Sequence, residues 1–590
     1  MPRSFHNQTV PGQEEHNSLL LFLWMGLIAA SAVFWVLLRC FGLRTPQIVE
    51  LFIVAAVLIA FLINTVKSYF HQKKLLAEQW PRPRLRISEA EDRRQLEQAA
   101  RDNTTLLGYE NDGTPLFWSD EQRALQTNLP GMSGSGKSTL LLNILDQDIR
   151  RGHPVIVFDG KGSKDFVFRL LAFASAAGRG ADVRIIDPSH PEVSDKYNPF
   201  YSPAGKRQQR VGAVFDSLGA SQAKDEFFAE HQRAFLDSVT NILSYTGRTL
   251  TFKTILKVSQ RPDVMMELIK TLRETVRTDP AIGPNEIDAF EMDAFILEGI
   301  YGDPDWLGKI RGLLNSMKPF VGDSLVDITC ATEDLVTLAD VIEKKQILIV
   351  SMNVGGDSQA ARSLGRILMR DLQAIISARY DDYVQNKKHS FISVVLDEFG
   401  LYAYGGFSNI IHTAREANAG FIFSFQNIMQ LESAVGPSFA NDVANATNSK
   451  FLMRISEEDT AENFMHASAA VPTTKLSTQV AKLNPLEGRE YEEQGTATRT
   501  ETSETRVQDR HVKILPTGQM MALFADARMG LVVKHVHVRR PFEYFFPLPP
   551  AWTANYSKPA STSRQLDIDS LVSAPVEEPT KRGQRRARRS

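Results

Sequence analysis

The stretch that decides the fold is Gly131-Met132-Ser133-Gly134-Ser135-Gly136-Lys137-Ser138-Thr139, which fits G-x-x-x-x-G-K-[ST] at every position. Small residues allow the backbone N–H groups of such a loop to surround phosphate groups. We expect Lys137 to reach the β- and γ-phosphates and the Ser138 hydroxyl to bind Mg²⁺. Residues 140–145 are mostly apolar and predict a buried helix whose N-terminus faces the anion. The loop therefore predicts a nucleotide site, with ATP and Mg²⁺ as cofactors, rather than a flexible Gly/Ser turn.

Length and composition set outer limits on the protein. A chain of 590 residues is long enough for several domains, and 23% charged with 43% hydrophobic residues is an ordinary globular mixture. The formal net charge of −2 gives no overall attraction to nucleic acid, so any contact with DNA must come from local patches. The two cysteines, Cys40 and Cys330, exclude a disulfide framework and a C-x-x-C metal site.

Two apolar segments precede the loop. Residues 17–38 carry no charge, and residues 51–66 are also uncharged, with Ile48 and Val49 extending the second segment across Glu50. Each approaches the roughly 20 residues that cross a bilayer. The first segment is too apolar on every face for a surface helix, and a second segment argues against a signal peptide. We expect a transmembrane anchor of two helices.

The orientation of this anchor follows from the distribution of positive charge. Six basic residues follow the second segment, namely Lys67, Lys73, Lys74, Arg82, Arg84 and Arg86. Such an excess places the long C-terminal part in the cytoplasm, although Arg39 and Arg44 in the connecting loop weigh against this. Because ATP is cytoplasmic, we expect a multi-pass membrane protein with both termini inside.

Beyond the anchor, short β-branched runs alternate with helical stretches. The runs are residues 155–158, 183–186, 346–350, 392–396, 420–424 and 450–454. They predict an α/β fold with a parallel sheet covered on both faces. Residues 227–245 and 255–276 have helical spacing, which predicts an all-helical insertion. Residues 473–510, rich in Thr, Glu, Gln and Ser, are expected to form a loop, and residues 512–543 regain strand character.

In a second motif, Ser393-Val394-Val395-Leu396-Asp397-Glu398, two acidic residues directly follow a predicted apolar strand. At the end of a strand, Asp397 can orient the Mg²⁺ shell through water, and Glu398 can polarise the water that attacks the γ-phosphate. Such a run is also common as a purely structural strand, but the complete phosphate loop upstream favours the catalytic interpretation. A glutamate beside the metal aspartate is suited to hydrolysis, so the pair predicts an ATPase.

Two further polar residues follow this motif. Arg415 lies between the strand of Asp397 and the next strand, which Gln426 ends. A guanidinium from a neighbouring subunit could neutralise charge in the transition state, and a glutamine at a strand end could sense the γ-phosphate. The residues alone leave alternatives open: Arg415 can be a solvated arginine of a helix, and Gln426 a buried amide bonded to backbone.

These features together resemble the type IV secretion coupling proteins, the VirD4/TraD/TrwB-like ATPases of bacterial conjugation. The resemblance covers nearly all of residues 19–546. It rests on the two N-terminal spans, on the loop 131–139 and on several further motifs that occur in the same order as in the family. These motifs are Asp159-Gly160-Lys161-Gly162, Asn198-Pro199 before the helical insertion, Leu396-Asp397-Glu398-Phe399-Gly400, Arg415, the run 425–431 that contains Gln426, and residues 445–462 with Arg454 and Thr460-Ala461-Glu462.

The resemblance implies a RecA-like P-loop NTPase that assembles as a homo-hexamer around a channel, anchored in the bacterial inner membrane. It implies ATP hydrolysis coupled to the movement of DNA, as a single transfer strand with its relaxase or as duplex, toward the type IV secretion channel components. Accessory proteins and effector proteins are further expected partners, and the helical insertion is expected to recruit substrate. Arg415 falls where the trans-acting arginine of the family lies.

The expected domain organisation has seven parts. They are a cytoplasmic N-terminus (1–16), two transmembrane helices with a short periplasmic loop (17–66), a stalk (67–103), a first part of the nucleotide-binding domain (104–201), an all-α insertion (202–319), a second part of the nucleotide-binding domain (320–550) and a disordered basic tail (551–590). The tail could bind DNA phosphates, bind the anionic leaflet, or be functionally silent. Several relatives carry acidic tails instead.

Three other functions compete with a coupling ATPase. An FtsK/HerA-type translocase of double-stranded DNA would share the motor, but the FtsK type usually has more spans and a C-terminal winged-helix domain, which this sequence does not suggest. A non-catalytic membrane receptor that only docks substrates is disfavoured by intact Lys137, Asp397 and Glu398. A small-molecule transporter is disfavoured because two spans are too few to form a path.

Overall fold

A computed structural model of the chain describes residues 60, 65–68, 85–201, 207–219, 226–322, 325–352, 358–482, 491–526 and 530–544. The chain divides into two compact units, residues 1–79 and 80–590. In the first unit, the described residues 60 and 65–68 are helical, and the rest of both predicted membrane spans lies outside the described residues, as do residues 1–16 and the basic tail. Among the described helices, none combines the length and the apolar character needed to cross a membrane.

The second unit is built on a sheet of eleven strands, and two further strands form a separate ribbon. In chain order the strands are β1 (Thr104–Tyr109), β2 (Pro115–Ser119), β3 (Thr127–Pro130), β4 (Val155–Asp159), β5 (Val183–Ile186), β6 (Ile347–Ser351), β7 (Ile392–Asp397), β8 (Ala419–Phe425), β9 (Ser449–Leu452), β10 (Ala470–Lys482), β11 (Tyr491–Thr505), β12 (Gln519–Asp526) and β13 (Gly530–Val538).

The order across the sheet is β2-β1-β13-β12-β9-β3-β8-β7-β4-β6-β5. The strands from β9 to β5 pair in parallel, whereas β12, β13, β1 and β2 extend the sheet by antiparallel pairing. The six runs predicted from sequence correspond to β4 to β9, and the parallel α/β sheet is confirmed. The sequence did not predict β1, β2 or β3.

The helices fill the connections between these strands. They are α1 (Glu89–Arg101), α2 (Asp120–Arg123), α3 (Lys137–Arg151), α4 (Lys164–Ala176), α5 (Arg207–Ser217), α6 (Glu226–Ser244), α7 (Phe252–Ser259), α8 (Pro262–Thr278), α9 (Pro284–Gly302), α10 (Trp306–Met317), α11 (Val326–Thr329), α12 (Leu338–Glu343), α13 (Ser358–Val384), α14 (Ser408–Thr413), α15 (Ile428–Ala434), α16 (Pro437–Ala446), α17 (Glu458–Ala467) and α18 (Asp509–Lys513).

Both faces of the parallel sheet are covered. Every residue of β4 and β7 is buried, and successive side chains enter two different hydrophobic cores because strand side chains alternate between faces. Val394 and Leu396 pack with α13 to α16 and the helices that follow β5, whereas Val395 packs with α3 and α4. This sandwich explains the near-continuous apolar runs that marked these strands in the sequence.

Between β5 and β6 the described residues contain helices α5 to α12 and one isolated β-bridge, Lys196 with Leu335. These helices share one continuous core with the sheet, since Phe235 and Leu313 belong to the same cluster as Phe158. The fold is therefore α/β with a helical insertion. The predicted boundaries, residues 202–319 for the insertion and 104–201 and 320–550 for the flanking parts, remain proposals.

The loop predicted over residues 473–510 is wrong. Strands β10 and β11 form a long antiparallel ribbon there, with Ala470 opposite Thr505 and Lys482 opposite Tyr491. The segment is rich in threonine, whose β-branched side chain favours strands. Because the sequence lacks an apolar residue at every second position, the usual signal of a half-buried strand was missing.

A buried ion pair joins three elements on the α3 side of the sheet. Arg123 donates to both carboxylate oxygens of Asp148, at 2.6 and 2.5 Å, and to the Ser393 hydroxyl at 3.0 Å. Both side chains are buried, since the exposed fraction is 1% for Arg123 and 0% for Asp148. Burial alone would raise the pKa of Asp148, but the charge and hydrogen bonds of Arg123 lower it well below its ordinary value. The pair thus fixes α2, α3 and β7 relative to one another.

We predict that Asp148→Asn destabilises the full chain by about 3–5 kcal/mol, because the buried Arg123 guanidinium loses its fully buried counter-charge and keeps only the partly exposed Asp120 at 3.2 Å. Urea unfolding followed by circular dichroism measures the loss. The matched control is Asp165→Asn, which removes an exposed partner of Arg169 and should change little. Because the pKa of Asp148 is lowered, its contribution is lost as the pH falls below about 4, so the difference between wild type and variant should shrink there. A control variant as unstable as Asp148→Asn would show that the loss of stability is not specific to the buried pair.

Candidate active site

The loop 131–139 joins β3 to α3 and is tied to the strands on both sides of β3. The Gly131 N–H donates to the Phe425 carbonyl at the end of β8, at 3.2 Å, and the Met132 N–H donates to the Arg454 carbonyl beyond β9, at 2.9 Å. Gly136 has φ +111°, and a Cβ there would lie 3.0 Å from the backbone nitrogen of Gly518. The turn therefore needs glycine for both its backbone conformation and its close approach to residue 518.

Lys137 begins α3 and folds back over its own loop. Its side chain is buried, and its Nζ donates to the carbonyl oxygens of Gly131 and Met132. Burial, followed by the nearby charge of Lys161, lowers the pKa of the Lys137 ammonium. Ser138 and Thr139 follow on the first turn, where Ser138 is exposed and Thr139 half-buried. The predicted phosphate ligands therefore lie at the N-terminus of a long helix, a position that favours anions.

Asp397 ends β7 directly beside Asp159, the last residue of β4. Its carboxylate accepts a hydrogen bond of 2.7 Å from the Ser424 hydroxyl on β8, and its second oxygen lies 3.4 Å from the Lys161 ammonium. Asp159 accepts from the backbone N–H groups of Lys161 and Ser163, yet burial raises its pKa to about 6. Two strand ends thus bring two carboxylates and one ammonium together.

Glu398 follows Asp397 in a left-handed conformation, with φ +52°. Its carboxylate pairs with the Lys161 ammonium at 2.9 Å and accepts from Gln430 at 3.2 Å and from Gln426 at 3.4 Å. Burial would raise the pKa of Glu398, but the hydrogen bond and charge of Lys161 lower it overall. The side chain is therefore held as an ionised carboxylate at the same edge of the sheet as Lys137.

Lys161 is one of three site residues whose role reasoning from sequence missed. It contacts both Asp397 and Glu398 across more than 230 positions of sequence, which becomes possible because β4 and β7 are neighbours in the sheet. Gly160 permits the approach, since a Cβ there would lie 2.9 Å from the Glu398 Cβ. Lys161 stands in one of the motifs that carried the family resemblance, but nothing local in the sequence indicated its partners. Ser424 and Gln430 were missed for the same reason.

The structure separates Arg415 from the other predicted residues of the same chain. It is exposed in the turn that precedes β8, at the amino end of that strand. Lys137, Asp397, Glu398 and Gln426 lie at the carboxyl ends of parallel strands, which is the opposite edge of the sheet. Gln426 does join the site through its contact with Glu398.

A cavity of about 1090 Å³ opens beside the phosphate loop. It is lined by Gly136 and Thr139 of the loop, by Thr517 and Gly518, by residues of α1 and by the segment after β13 that includes Arg539 and Tyr544. The cavity continues the P-loop site toward the antiparallel part of the sheet and is large enough for a small organic ligand.

The two metal ligands predicted from sequence, the Ser138 hydroxyl and the Asp397 carboxylate, both offer oxygen atoms. Within the part of the chain that the structure describes, no group of three or more His, Cys, Asp or Glu side chains is placed to hold a metal ion. A Mg²⁺ ion bound with a nucleotide commonly takes one or two protein ligands, and phosphate and water supply the rest.

Comparison with known proteins finds similar chains. The chain is 23% identical over 406 residues to the type 4 coupling protein DotL of Legionella pneumophila strain Philadelphia 1; the match covers 60% of this chain and 50% of DotL. The chain thus spans about half the length of this relative.

Solved structures match the fold. They include the bacterial conjugative coupling protein TrwBdeltaN70 in an unbound form, with a TM-score of 0.51 and 15% identity, and the plasmid coupling protein TrwB in complex with ADP and Mg²⁺, with a TM-score of 0.50 and 16% identity. Each match covers 79% of this chain and 96% of the other. At these identities the likeness shows the fold alone, a RecA-like α/β fold with a helical insertion.

The family itself is identified by sequence. Residues 130–468, more than half of the chain, match the family described as type IV secretory system conjugative DNA transfer. This segment begins at the phosphate loop and contains Asp397, Glu398 and the helical insertion. The chain therefore belongs to the type IV secretory system conjugative DNA transfer family, that of the coupling proteins.

Proposed function

We propose that this chain is the coupling ATPase of a type IV secretion system. It recruits a DNA substrate with its relaxase and uses ATP hydrolysis to drive the substrate toward the secretion channel. The observation that carries the proposal is the meeting of Lys137, Asp397 and Glu398 at one edge of the sheet, in a chain of the conjugative DNA transfer family. A receptor that only docks substrates would not need this arrangement.

The residues of the loop have separate roles in this proposal. The backbone N–H groups of residues 131–139 bind phosphate oxygens, and the Lys137 ammonium exchanges the carbonyls of Gly131 and Met132 for the β- and γ-phosphates. The cavity beside Gly136 and Thr139 accommodates the nucleoside. In support, the plasmid coupling protein TrwB, which shares the fold, has been solved in complex with ADP and Mg²⁺.

Ser138 and Asp397 are the residues that would hold Mg²⁺, with Asp397 acting through water. Their fit rests on oxygen donors at the start of α3 and the end of β7, where the Ser424 hydroxyl orients one Asp397 oxygen. The bound ion would neutralise charge on the phosphate oxygens. Glu398 polarises the attacking water, and Gln426 and Gln430 hold the Glu398 carboxylate in place.

Arg415 acts in trans in this proposal. Arg415 is exposed at the amino end of β8, at the edge of the sheet opposite to Lys137 of its own chain. A guanidinium in this position can contact the nucleotide of a neighbouring subunit. A homo-hexamer around a DNA channel supplies such neighbours. We also propose the two-helix anchor over residues 17–66, the inner-membrane location with a cytoplasmic motor, and contacts with accessory proteins and channel components.

We predict that Lys137→Ala abolishes ATP hydrolysis and DNA transfer while membrane insertion is retained, because only the phosphate-binding cation is lost. Transfer frequency from a donor strain and membrane fractionation are the measurements. Lys344→Ala removes an exposed lysine paired with Asp340 and is the matched control. A wild-type transfer frequency from the Lys137→Ala donor would exclude the hypothesis that this chain drives DNA transfer by ATP hydrolysis.

We predict that Glu398→Gln binds ATP with little change in affinity but hydrolyses it at least about a hundredfold more slowly, because the amide cannot polarise the attacking water. Binding of a fluorescent nucleotide and steady-state phosphate release separate the two effects. The control is Glu121→Gln, an exposed position on α2. A Glu398→Gln protein that hydrolyses ATP normally would exclude Glu398 from this role.

We predict that mixing Arg415→Ala subunits with Lys137→Ala subunits restores part of the ATPase activity that each variant lacks alone. At mixed interfaces, an intact arginine from one subunit meets an intact phosphate site from the other. Phosphate release is measured across mixing ratios after subunit exchange. Complete absence of recovery at every ratio would count against action in trans.

A further inference from the structure

Helix α13 carries three arginines along the narrow strip that its burial leaves open. Most of the first half of this 27-residue helix lies in the core between the sheet and the helical insertion. Arg362 is exposed, while Arg366 and Arg370 are half-buried, and the three recur at intervals of four residues. We call Arg362, Arg366 and Arg370 the arginine stripe.

The charges of the stripe are poorly compensated. Arg370 pairs with Asp216 at 3.3 Å and lies over the ring of Tyr404 at 4.4 Å. Among the described residues, Arg362 and Arg366 make no hydrogen bond or ion pair, and the buried Nε of Arg366 has no acceptor. Asp371, the one carboxylate in the sequence from 358 to 371, is already bonded to Arg210 and Tyr197.

Helix stability does not account for this arrangement. Like charges four residues apart destabilise a helix, and the macrodipole favours acidic residues near its start and basic residues near its end. In α13 the stripe stands in the first half, whereas Asp381 and Asp382 stand in the last turn. Burial, and then the charges of Arg362 and Arg370, lower the pKa of Arg366, so the neighbours disfavour its protonated form. An external anion would relieve this repulsion.

We propose that the arginine stripe binds the phosphodiester backbone of the DNA substrate. The inference rests on the proposed function, which supplies DNA as the polyanion. Guanidinium groups pair with phosphate oxygens in bidentate geometry, and at about 6 Å of helix rise between them the three arginines cover about 12 Å. Gln359, which is exposed, precedes the stripe on the same side of α13 and offers an amide donor. Such contacts hold DNA without reading its sequence.

The stripe also lies on a helix that contacts the hydrolysis site. At Gly365, between Arg362 and Arg366, a Cβ would lie 3.2 Å from the Tyr402 Cβ. The Tyr402 hydroxyl donates to the backbone carbonyl of Asp397. Tyr402 therefore contacts both the helix that carries the stripe and the end of β7 that carries Asp397. Through Tyr402, a movement of α13 caused by bound DNA can be transmitted to the hydrolysis site.

The test compares DNA binding by the full chain in detergent with binding by Arg362→Gln/Arg366→Gln. Anisotropy of a fluorescent single-stranded oligonucleotide of mixed sequence is measured over a range of salt concentrations. We expect the variant to bind at least about tenfold more weakly and its plot of log K against log salt to be shallower by about 1.4, since two phosphate contacts are lost. Because the variant lacks the repulsion among the three arginines, we expect its thermal unfolding temperature to be no lower than that of the wild-type chain.

Two matched variants separate charge from other effects. Arg101→Gln/Arg169→Gln removes the same charge from the exposed surfaces of α1 and α4 and should bind as wild type does. Arg362→Lys/Arg366→Lys keeps the charge and should keep the salt slope. ATP hydrolysis without DNA should persist in Arg362→Gln/Arg366→Gln, since neither residue contacts Lys137, Asp397 or Glu398.

Three outcomes would overturn the inference. Wild-type affinity and salt slope in Arg362→Gln/Arg366→Gln would exclude the stripe as a DNA contact and leave the proposed function standing. Normal DNA binding with loss of DNA-independent ATP hydrolysis would assign the stripe to a neighbouring nucleotide instead. Absence of DNA binding by the wild-type chain itself, single-stranded or duplex, would remove the substrate and with it the proposed function.

Discussion

The candidate site depends on the parallel register of four neighbouring strands, β3, β8, β7 and β4. Pro130 of β3 stands opposite Phe425 of β8, and Asp397 of β7 stands opposite Asp159 of β4. Since parallel strands end at one edge, the phosphate loop, the carboxylates and Gln426 all emerge there. A shift of one residue in β7 would turn Asp397 to the other face of the sheet, because strand side chains alternate. The chemistry therefore rests on a backbone constraint as much as on the residues themselves.

Crowding of like charge is the second constraint on this edge. Asp159, Asp397 and Glu398 lie together, and each is stabilised by a different device: Asp159 by two backbone N–H groups, Asp397 by the Ser424 hydroxyl, and Glu398 by Lys161 and two amides. Asp159 has its pKa raised to about 6 by burial, and the pKa of Glu398 is lowered overall. Lys161 thus helps to keep a carboxylate ionised beside the phosphate loop, where a general base must be unprotonated.

Features could be predicted from the sequence where function fixes the residue types of a short contiguous segment. Contacts that depend on which strands are neighbours in the sheet could not be predicted. The phosphate loop could be predicted because all its required positions are contiguous, and β4 to β9 because buried parallel strands are continuous apolar runs. The pairing of Lys161 with Glu398 could not be predicted, since it requires β4 and β7 to be adjacent. The β10–β11 ribbon was missed because polar strands lack the alternation that marks a buried face. The arginine stripe was missed because it becomes apparent only when the burial of the residues around it, in the first half of α13, is known.

Lys137, Asp397 and Glu398 form the proposed hydrolysis site of a DNA-driven motor. The most direct measurement is the steady-state rate of ATP hydrolysis by the purified full chain, with and without single-stranded DNA, over a range of protein concentrations that spans subunit assembly. We expect Mg²⁺-dependent hydrolysis that DNA stimulates and that rises more than proportionally with protein concentration. Absence of DNA-stimulated hydrolysis at every concentration would contradict this expectation and would favour a receptor without motor activity.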